Sequence, residues 1–265
     1  MRALPVFRRS LADSWRPLIA WAIAIVAVLA LYLPLYPDIG GNGQLAQIIE
    51  GLPQGLVNAL GYASIGTGAG YAQATFYGLM GFLLLSIASI SWGGAAIAGA
   101  EESGRLELDL AHGVGRTQYA LESALTLVVK LAALVTVAGV MVWTLNGPAE
   151  LGLDAEGVLA ASVSLMGLTL IGATAALAVG ALTGRRAFAT AAGAAIAVYG
   201  YALNAIANQS ERLDWLRNAS PYSWAFESAP LAEGFDWPRL ALLWGISAAL
   251  VAVAAVALRR RDVLG

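Results

Sequence analysis

The sequence predicts an all-α polytopic membrane protein with six transmembrane helices. Of the 265 residues, 59% are hydrophobic and only 12% are charged, whereas soluble domains carry about 25% charged residues. The hydrophobic residues fall in blocks of about 20, the length of helix that crosses a bilayer, and short charged segments separate them. This pattern excludes a soluble enzyme, a collagen-like chain and a disordered tail.

Each predicted span is a window with very few charges, because an ionised side chain at the centre of a transmembrane helix costs about 2.5–3.5 kcal/mol. Lys130 is the only ionised residue well inside a span. The spans are residues 17–36, 76–98, 120–145, 158–182, 187–207 and 239–258.

Residues 1–16 predict an interfacial amphipathic helix on the cytoplasmic surface, ahead of the first span. Leu4, Phe7, Leu11 and Trp15 recur every three or four residues, and charged residues occupy the other face. Such a helix lies along the membrane surface with its apolar side toward the lipid.

The segment 37–75 is predicted to be an outer loop with an amphipathic stretch between Leu45 and Leu60. Its Gly-rich part, residues 61–70, argues against two complete membrane crossings. A re-entrant segment within residues 51–70 stays open as an alternative.

The distribution of basic residues predicts the orientation of this single transmembrane domain, residues 1–265. An even number of spans places both termini on one side, and eleven basic residues fall there against three on the other. By the positive-inside rule both termini and the loop 99–119 are cytoplasmic, and the loop 208–238 is outside. The eleven are Arg2, Arg8, Arg9, Arg16, Arg105, Arg116, Arg185, Arg186, Arg259, Arg260 and Arg261, and the three are Arg212, Arg217 and Arg239.

Several chemistries are excluded by composition. The chain has no Cys and one His, so it offers no disulfide, no zinc cluster and no thiol nucleophile. The net charge of −2 does not suit a nucleic-acid partner. The chain lacks the phosphate-binding motif Gly-x-x-x-x-Gly-Lys-Ser/Thr. We therefore expect no catalytic residue, no metal site and no ATP hydrolysis by this chain alone.

The loop 99–119 reads as a short helix followed by a turn. Leu106 and Leu110 share one face at a spacing of four residues, and Gly113 and Gly115 can end the helix. The residues alone leave two interpretations open, a mechanical lever across the spans or an ordinary polar loop.

This loop also carries a family resemblance. Glu-Glu-x-Gly-Arg-Leu-Glu-Leu-x-Leu-Ala at residues 101–111, followed by Arg116, resembles the first cytoplasmic loop of ABC-2-type permeases, the membrane subunits of type 2 ATP-binding cassette exporters. Ser220-Pro221-Tyr222 and the run 230–237 look like the last outer loop of the antibiotic and multidrug efflux branch. The ending at residues 259–263 is also similar, so the resemblance extends over essentially the whole chain.

The resemblance implies that this loop contains a coupling helix that docks on an ATPase subunit. The sequence departs from the family pattern at Asp109, where an apolar residue is common, and at Gly113, where proline often stands. The residues that receive the coupling role are Glu101, Glu102, Gly104, Arg105, Leu106, Glu107, Leu110 and Arg116.

The partners that the resemblance implies are two copies of the ATPase subunit and a second permease half, identical or homologous. ATP and Mg²⁺ would bind to the ATPase, and this chain would bind no cofactor. The expected location is the bacterial plasma membrane among its lipids. The expected substrates are apolar or amphipathic small molecules of the drug or antibiotic kind, moved out of the cell.

Polar residues inside the spans are candidates for a substrate path, because ionisable and polar groups at membrane depth often serve transport. Hydrogen bonds between helices explain the serines, the tyrosine and the asparagine equally well. Lys130 could instead extend its ammonium to the cytoplasmic interface. The candidates are Ser86, Ser89, Lys130, Tyr199 and Asn204.

Two other functions remain as alternatives. An ion-coupled secondary transporter needs ionisable residues near the midplane, and Lys130 alone qualifies. A membrane subunit that scaffolds or senses without transporting is the other alternative.

Overall fold

Long apolar helices make up most of the protein in its computed structural model, which describes residues 4–39, 51, 57 and 65–261. No β-strand occurs in these ranges. The main helices are α1 (Pro5–Tyr32), α2 (Gly68–Glu102), α3 (Arg105–Ala111), α4 (Arg116–Asn146), α5 (Ala155–Thr183), α6 (Arg186–Ala207), α7 (Pro221–Phe226), α8 (Pro230–Glu233) and α9 (Trp237–Arg260). Short helical segments at Leu33–Leu35 and Tyr36–Ile39 continue α1, and a 3₁₀ helix occupies Glu211–Ala219.

Within the described ranges, six helices are long and apolar enough to cross a membrane, which confirms the predicted number of spans. They are α1 with its continuation to Asp38, α2, α4, α5, α6 and α9, and each contains its predicted window. Two parts of α2 are π-helical, Gln73–Gly81 and Ala95–Gly99.

The N-terminal segment and the first span form one helix. α1 runs without a break through Pro17, although proline removes a backbone N–H from the helix. Packing of α1 along α4 holds the two parts in line. The structure therefore has no boundary near residue 16, and the placement of the first turns on the membrane surface stays a prediction.

The second span begins at Gly68, eight residues before the predicted window at residue 76. The Thr67 hydroxyl accepts a hydrogen bond from the Gly70 N–H and caps this end of the helix. Gly68 is required there, because a Cβ atom would lie 2.1 Å from the Leu151 carbonyl oxygen. Most of the predicted amphipathic stretch and of the possible re-entrant segment falls outside the described residues.

The centre of the bundle is α5, which packs against α2, α4, α6 and α9. In its most apolar stretch 89% of the residues are buried, against 17% for α1 and α6. Small residues permit this close packing, since a Cβ atom on Gly93 of α2 would lie 2.3 Å from the Ala173 carbonyl oxygen.

The bundle has two different ends. At the first, which we call the basic end, α1 begins, α9 ends, and α3 packs on both through the buried cluster around Val6, Leu106 and Leu258. At the opposite end lie α7, α8 and the turn before α5, around Leu151 and Leu231.

Candidate functional site

α3 lies at the basic end between α2 and α4, and glycines set its limits. Gly104 precedes it with φ +70°, in the left-handed region that glycine adopts freely, and its N–H bonds the Glu101 carbonyl at 2.9 Å. Gly113 follows it with φ +87°. The loop is therefore a defined helix between two turns, as its sequence indicated.

The inward face of α3 is anchored in the bundle. Leu106 is fully buried in the cluster at the basic end, and Leu110 packs against the same cluster. Asp109 is 9% exposed and forms an ion pair with Arg9 of α1, with Arg9 Nη1 to Asp109 Oδ1 at 2.6 Å. Leu106 and Asp109 thus hold α3 in place and are closed to a partner subunit.

The outward face of α3 carries one large apolar side chain. Leu108 is 60% exposed, and Arg105 and His112, three residues before and four after, are also exposed. This spacing places the three side chains on one side of the helix. The exposed leucine, between a basic and a polar side chain, is accessible to another protein.

The flanking residues connect α3 to the ends of other spans. Glu101 forms an ion pair with Arg261 after α9, and Arg116 Nη1 donates to the Arg261 carbonyl oxygen at 2.7 Å. The Glu102 Oε1 atom accepts a hydrogen bond of 2.8 Å from the Arg186 N–H at the start of α6. A carboxylate there also compensates the positive end of the α6 dipole.

The structure therefore divides the predicted coupling residues by role. Glu101, Glu102 and Arg116 bond to neighbouring spans, and Arg105 faces outward. Glu107 Oε2 is buried without a hydrogen-bond partner among the described residues. Whether the segment docks on an ATPase stays a prediction, and Leu108 joins the residues that could do so.

The residues of the predicted substrate path do not lie together. Ser86 borders an apolar groove between α2 and α6, whereas Ser89 is buried and donates to the Thr169 carbonyl at 3.2 Å. Tyr199 is 52% exposed on the outside of α6, and Asn204 Oδ1 accepts a hydrogen bond of 3.0 Å from Ser223. Lys130 lines a separate cavity at the basic end.

The groove beside Ser86 has a volume of about 530 Å³ and almost wholly apolar walls. Ser86 is buried, and its Oγ has no hydrogen-bond partner among the described residues. The groove walls come from Leu79, Phe82, Leu83, Ile87, Ile90, Ala194 and Val198, with Tyr201 also lining it.

Sequence reasoning missed Glu122, which is 2% exposed on α4. Its carboxylate accepts hydrogen bonds from the Phe7 N–H at 2.9 Å and from Gln118 Nε2 at 2.7 Å. Phe7 lies in the first turn of α1, where no side chain of the N-cap residue Leu4 satisfies the free N–H groups. The available signal was an acidic residue in the first turn of a predicted span.

The Ser220-Pro221-Tyr222 motif has a structural role at the opposite end. Ser220 caps α7 and donates to the Gly200 carbonyl of α6 at 2.6 Å. The Tyr222 hydroxyl donates to the Gly78 carbonyl of α2 at 2.8 Å. The motif therefore joins α7 to two spans.

Six apolar helices, with α5 buried at their centre, and an apolar groove between two of them indicate a multi-pass membrane protein of the transporter permease class. A family model described as "Multidrug efflux system permease Rv1217c, C-terminal domain" matches residues 13–259. The chain belongs to this family, which agrees with the predicted ABC-2-type permease of drug efflux. A permease of an efflux system works with partner components in a transporter complex. No curated protein matches the chain.

Proposed function

We propose that this chain is the membrane-spanning half of an ATP-driven exporter, coupled through α3 to a separate ATPase subunit. The observation that carries the proposal is the division of α3 into two faces. Its outward face presents Leu108 to a partner, and its inward face and flanks bond to α1, α6 and α9. The chain itself has no ATP-binding motif and leaves hydrolysis to its partner.

Movement of the ATPase reaches the spans through these bonds. ATP binding draws two ATPase copies together, and each copy displaces the α3 that it holds. Arg9, Arg186 and Arg261 then transmit the displacement to the first, fifth and sixth spans. Coupling requires that the two conformations differ in their contacts with nucleotide and substrate.

The arrangement in the membrane follows from charge and family. Eleven of the basic residues lie on the side of the termini, so the positive-inside rule supports cytoplasmic termini and a cytoplasmic α3. The membrane is the plasma membrane of a bacterium. A second permease half, identical or homologous, completes the pore, and the family resemblance supplies this stoichiometry.

The substrates are apolar or amphipathic small molecules. The α2–α6 groove supports this class, because its volume of about 530 Å³ falls within the 300–1,000 Å³ of drug-sized sites. Its walls are almost wholly apolar, which suits an apolar ligand surface.

The experiment is co-purification with the ATPase encoded beside this chain. The tagged chain is extracted in mild detergent, and co-elution and ATP turnover are measured for the parent, Leu108→Asp and Leu108→Met. We expect Leu108→Asp to abolish co-elution and drug-stimulated turnover. Leu108→Met keeps an apolar side chain of similar size and should behave as the parent.

If the ATPase co-eluted equally with both variants, α3 would not be the docking element. A chain that never co-elutes with an ATPase and transports without ATP would favour the ion-coupled carrier. Co-elution without substrate-dependent turnover would favour a scaffold or sensor.

A further inference from the structure

A second cavity lies at the basic end, on the side of α1 that faces α2 and α4. Its volume is about 220 Å³, and no residue that lines it lines the α2–α6 groove. Its walls are partly polar and include Ser10, Asp13, Trp92, Ser123, Thr126 and Lys130.

Lys130 is buried in the wall of this cavity without a counter-ion. Its side chain is 6% exposed, and its ammonium lies 5.3 Å from the centre of the Trp92 ring. No described carboxylate lies within ion-pairing distance of it. A cation–π contact offsets only part of the cost of burying an ammonium group, so an anion in the cavity would stabilise the charged form of Lys130.

The neighbouring charges do not supply that anion. Arg9 and Asp109 neutralise each other in their ion pair. The buried carboxylate of α4, Glu122, already accepts hydrogen bonds from Phe7 and Gln118. Asp13 lines the cavity and attracts the Lys130 ammonium through its charge, but it is exposed at the surface of α1 and forms no ion pair with Lys130.

We propose that this cavity binds the anionic head group, phosphate or carboxylate, of an amphiphile, with Lys130 as its charged ligand. About 220 Å³ is below the 300 Å³ of the smallest drug-sized sites, so the cavity admits a head group and leaves the acyl chains outside. Ser123 and Thr126 lie on the same side of α4 as Lys130 and add polar groups to the wall. The proposal goes beyond export and does not depend on the ATPase.

The test compares thermal unfolding of the purified chain with phosphatidylglycerol, with phosphatidylcholine of the same acyl chains, and with inorganic phosphate. We expect phosphatidylglycerol to raise the unfolding temperature of the parent more than phosphatidylcholine does. Lys130→Met should unfold at a higher temperature than the parent without lipid, because it removes an unpaired buried charge. It should also weaken phosphatidylglycerol binding about tenfold or more, as expected for one charge-assisted hydrogen bond.

Two further variants separate the site from general surface charge. Ser10→Leu fills the cavity and retains Lys130, so it should also lose the preference for phosphatidylglycerol. If Lys130→Met does not fold, Ser10→Leu alone tests whether the cavity binds the lipid. Arg8→Gln removes an exposed cation of α1 that does not line the cavity and should keep the preference.

Equal stabilisation of the parent by both lipids would overturn the proposal, as would an unchanged preference in Lys130→Met and Ser10→Leu. Stabilisation by inorganic phosphate alone would assign the cavity to a free anion and overturn the amphiphile. These measurements omit the ATPase, so their failure is distinct from failure of the proposed function.

Discussion

Two leucines on α3, two residues apart, have opposite environments. Leu106 is fully buried among spans, and Leu108 is 60% exposed. The sequence motif contains both and does not distinguish a side chain that supports the helix from one that meets a partner. Because Leu106 is buried, it stabilises the packing of α3, whereas the exposed Leu108 is available to contact a partner.

Leu106→Ala should lower the free energy of unfolding by about 2–5 kcal/mol, the usual cost of removing a buried leucine side chain. Leu108→Ala is the matched control and should change stability by less than about 0.5 kcal/mol. Both values are measured by unfolding the purified chain with a denaturing detergent. Equal losses in the two variants would contradict the inward orientation of Leu106.

Glu122 acts on the start of α1 from another helix. Its carboxylate accepts the Phe7 N–H, which the N-cap residue Leu4 leaves without a side-chain partner. The negative charge also lies near the positive end of the α1 dipole. This contact ties the first turn of α1 to α4 and explains why an acidic residue is buried there.

Glu122→Ala should destabilise the protein by about 1–3 kcal/mol, because a buried N–H loses its acceptor. Glu122→Gln retains an oxygen acceptor and should cost less. Thermal unfolding measures the difference, with Glu233→Ala as an exposed acidic control. If Glu122→Gln unfolded at a lower temperature than Glu122→Ala, the hydrogen bond to Phe7 would not be the cause of the destabilisation.

At the scale of the element, Asp109 links α3 to α1. It turns inward and pairs with Arg9 of α1 through two contacts, at a position where the family resemblance implies an apolar residue. Under the proposed coupling, this link is one of the bonds through which α3 would move a span.

Breaking this link should impair coupling more than folding. Arg9 is about half exposed, so Asp109→Asn should cost less than about 1 kcal/mol of stability. In liposomes containing the ATPase, the same variant should hydrolyse ATP near the parent rate but transport several-fold less substrate per ATP. Arg8→Gln, which changes the neighbouring exposed arginine, is the control, and an unchanged ratio in Asp109→Asn would exclude the link from coupling.

The sequence predicts helices better than it predicts their partners. All six spans follow from hydrophobic length, because each must cross the same thickness of membrane. The continuity of α1 did not follow, since the charges of Arg8, Arg9 and Asp13 imply an exposed surface and say nothing of the packing on α4. Ser86 and Ser89 look alike in sequence, yet one borders a groove and the other bonds α5. That difference depends on how α2 is rotated about its own axis, and the rotation is determined by packing against the neighbouring helices.

At the scale of the whole molecule, polar contacts join the helices at both ends of the bundle. At the basic end, an ion pair connects α1 to α3, and carboxylates at the end of α2 bond the start of α6 and the residue after α9. At the opposite end, Glu227 after α7 forms an ion pair with Arg239 of α9. The hydroxyls of Ser220 and Tyr222 at that end connect α7 to α6 and α2. The two ends differ in that α3 lies at the basic end, so a signal received at α3 would enter the bundle there.

This polarity has a direction in the membrane that accessibility can measure. The chain has no native cysteine, so a single introduced cysteine is the only reactive thiol. Arg260→Cys at the basic end and Asn218→Cys at the opposite end are both at exposed positions and form a matched pair. We expect a membrane-impermeant maleimide to label Asn218→Cys in intact cells and Arg260→Cys only after permeabilisation, because the basic end is predicted to be cytoplasmic. The reverse pattern would invert the orientation and place α3 where no cytoplasmic ATPase could reach it. Labelling of both in intact cells would contradict the single crossing by α9 between the two positions.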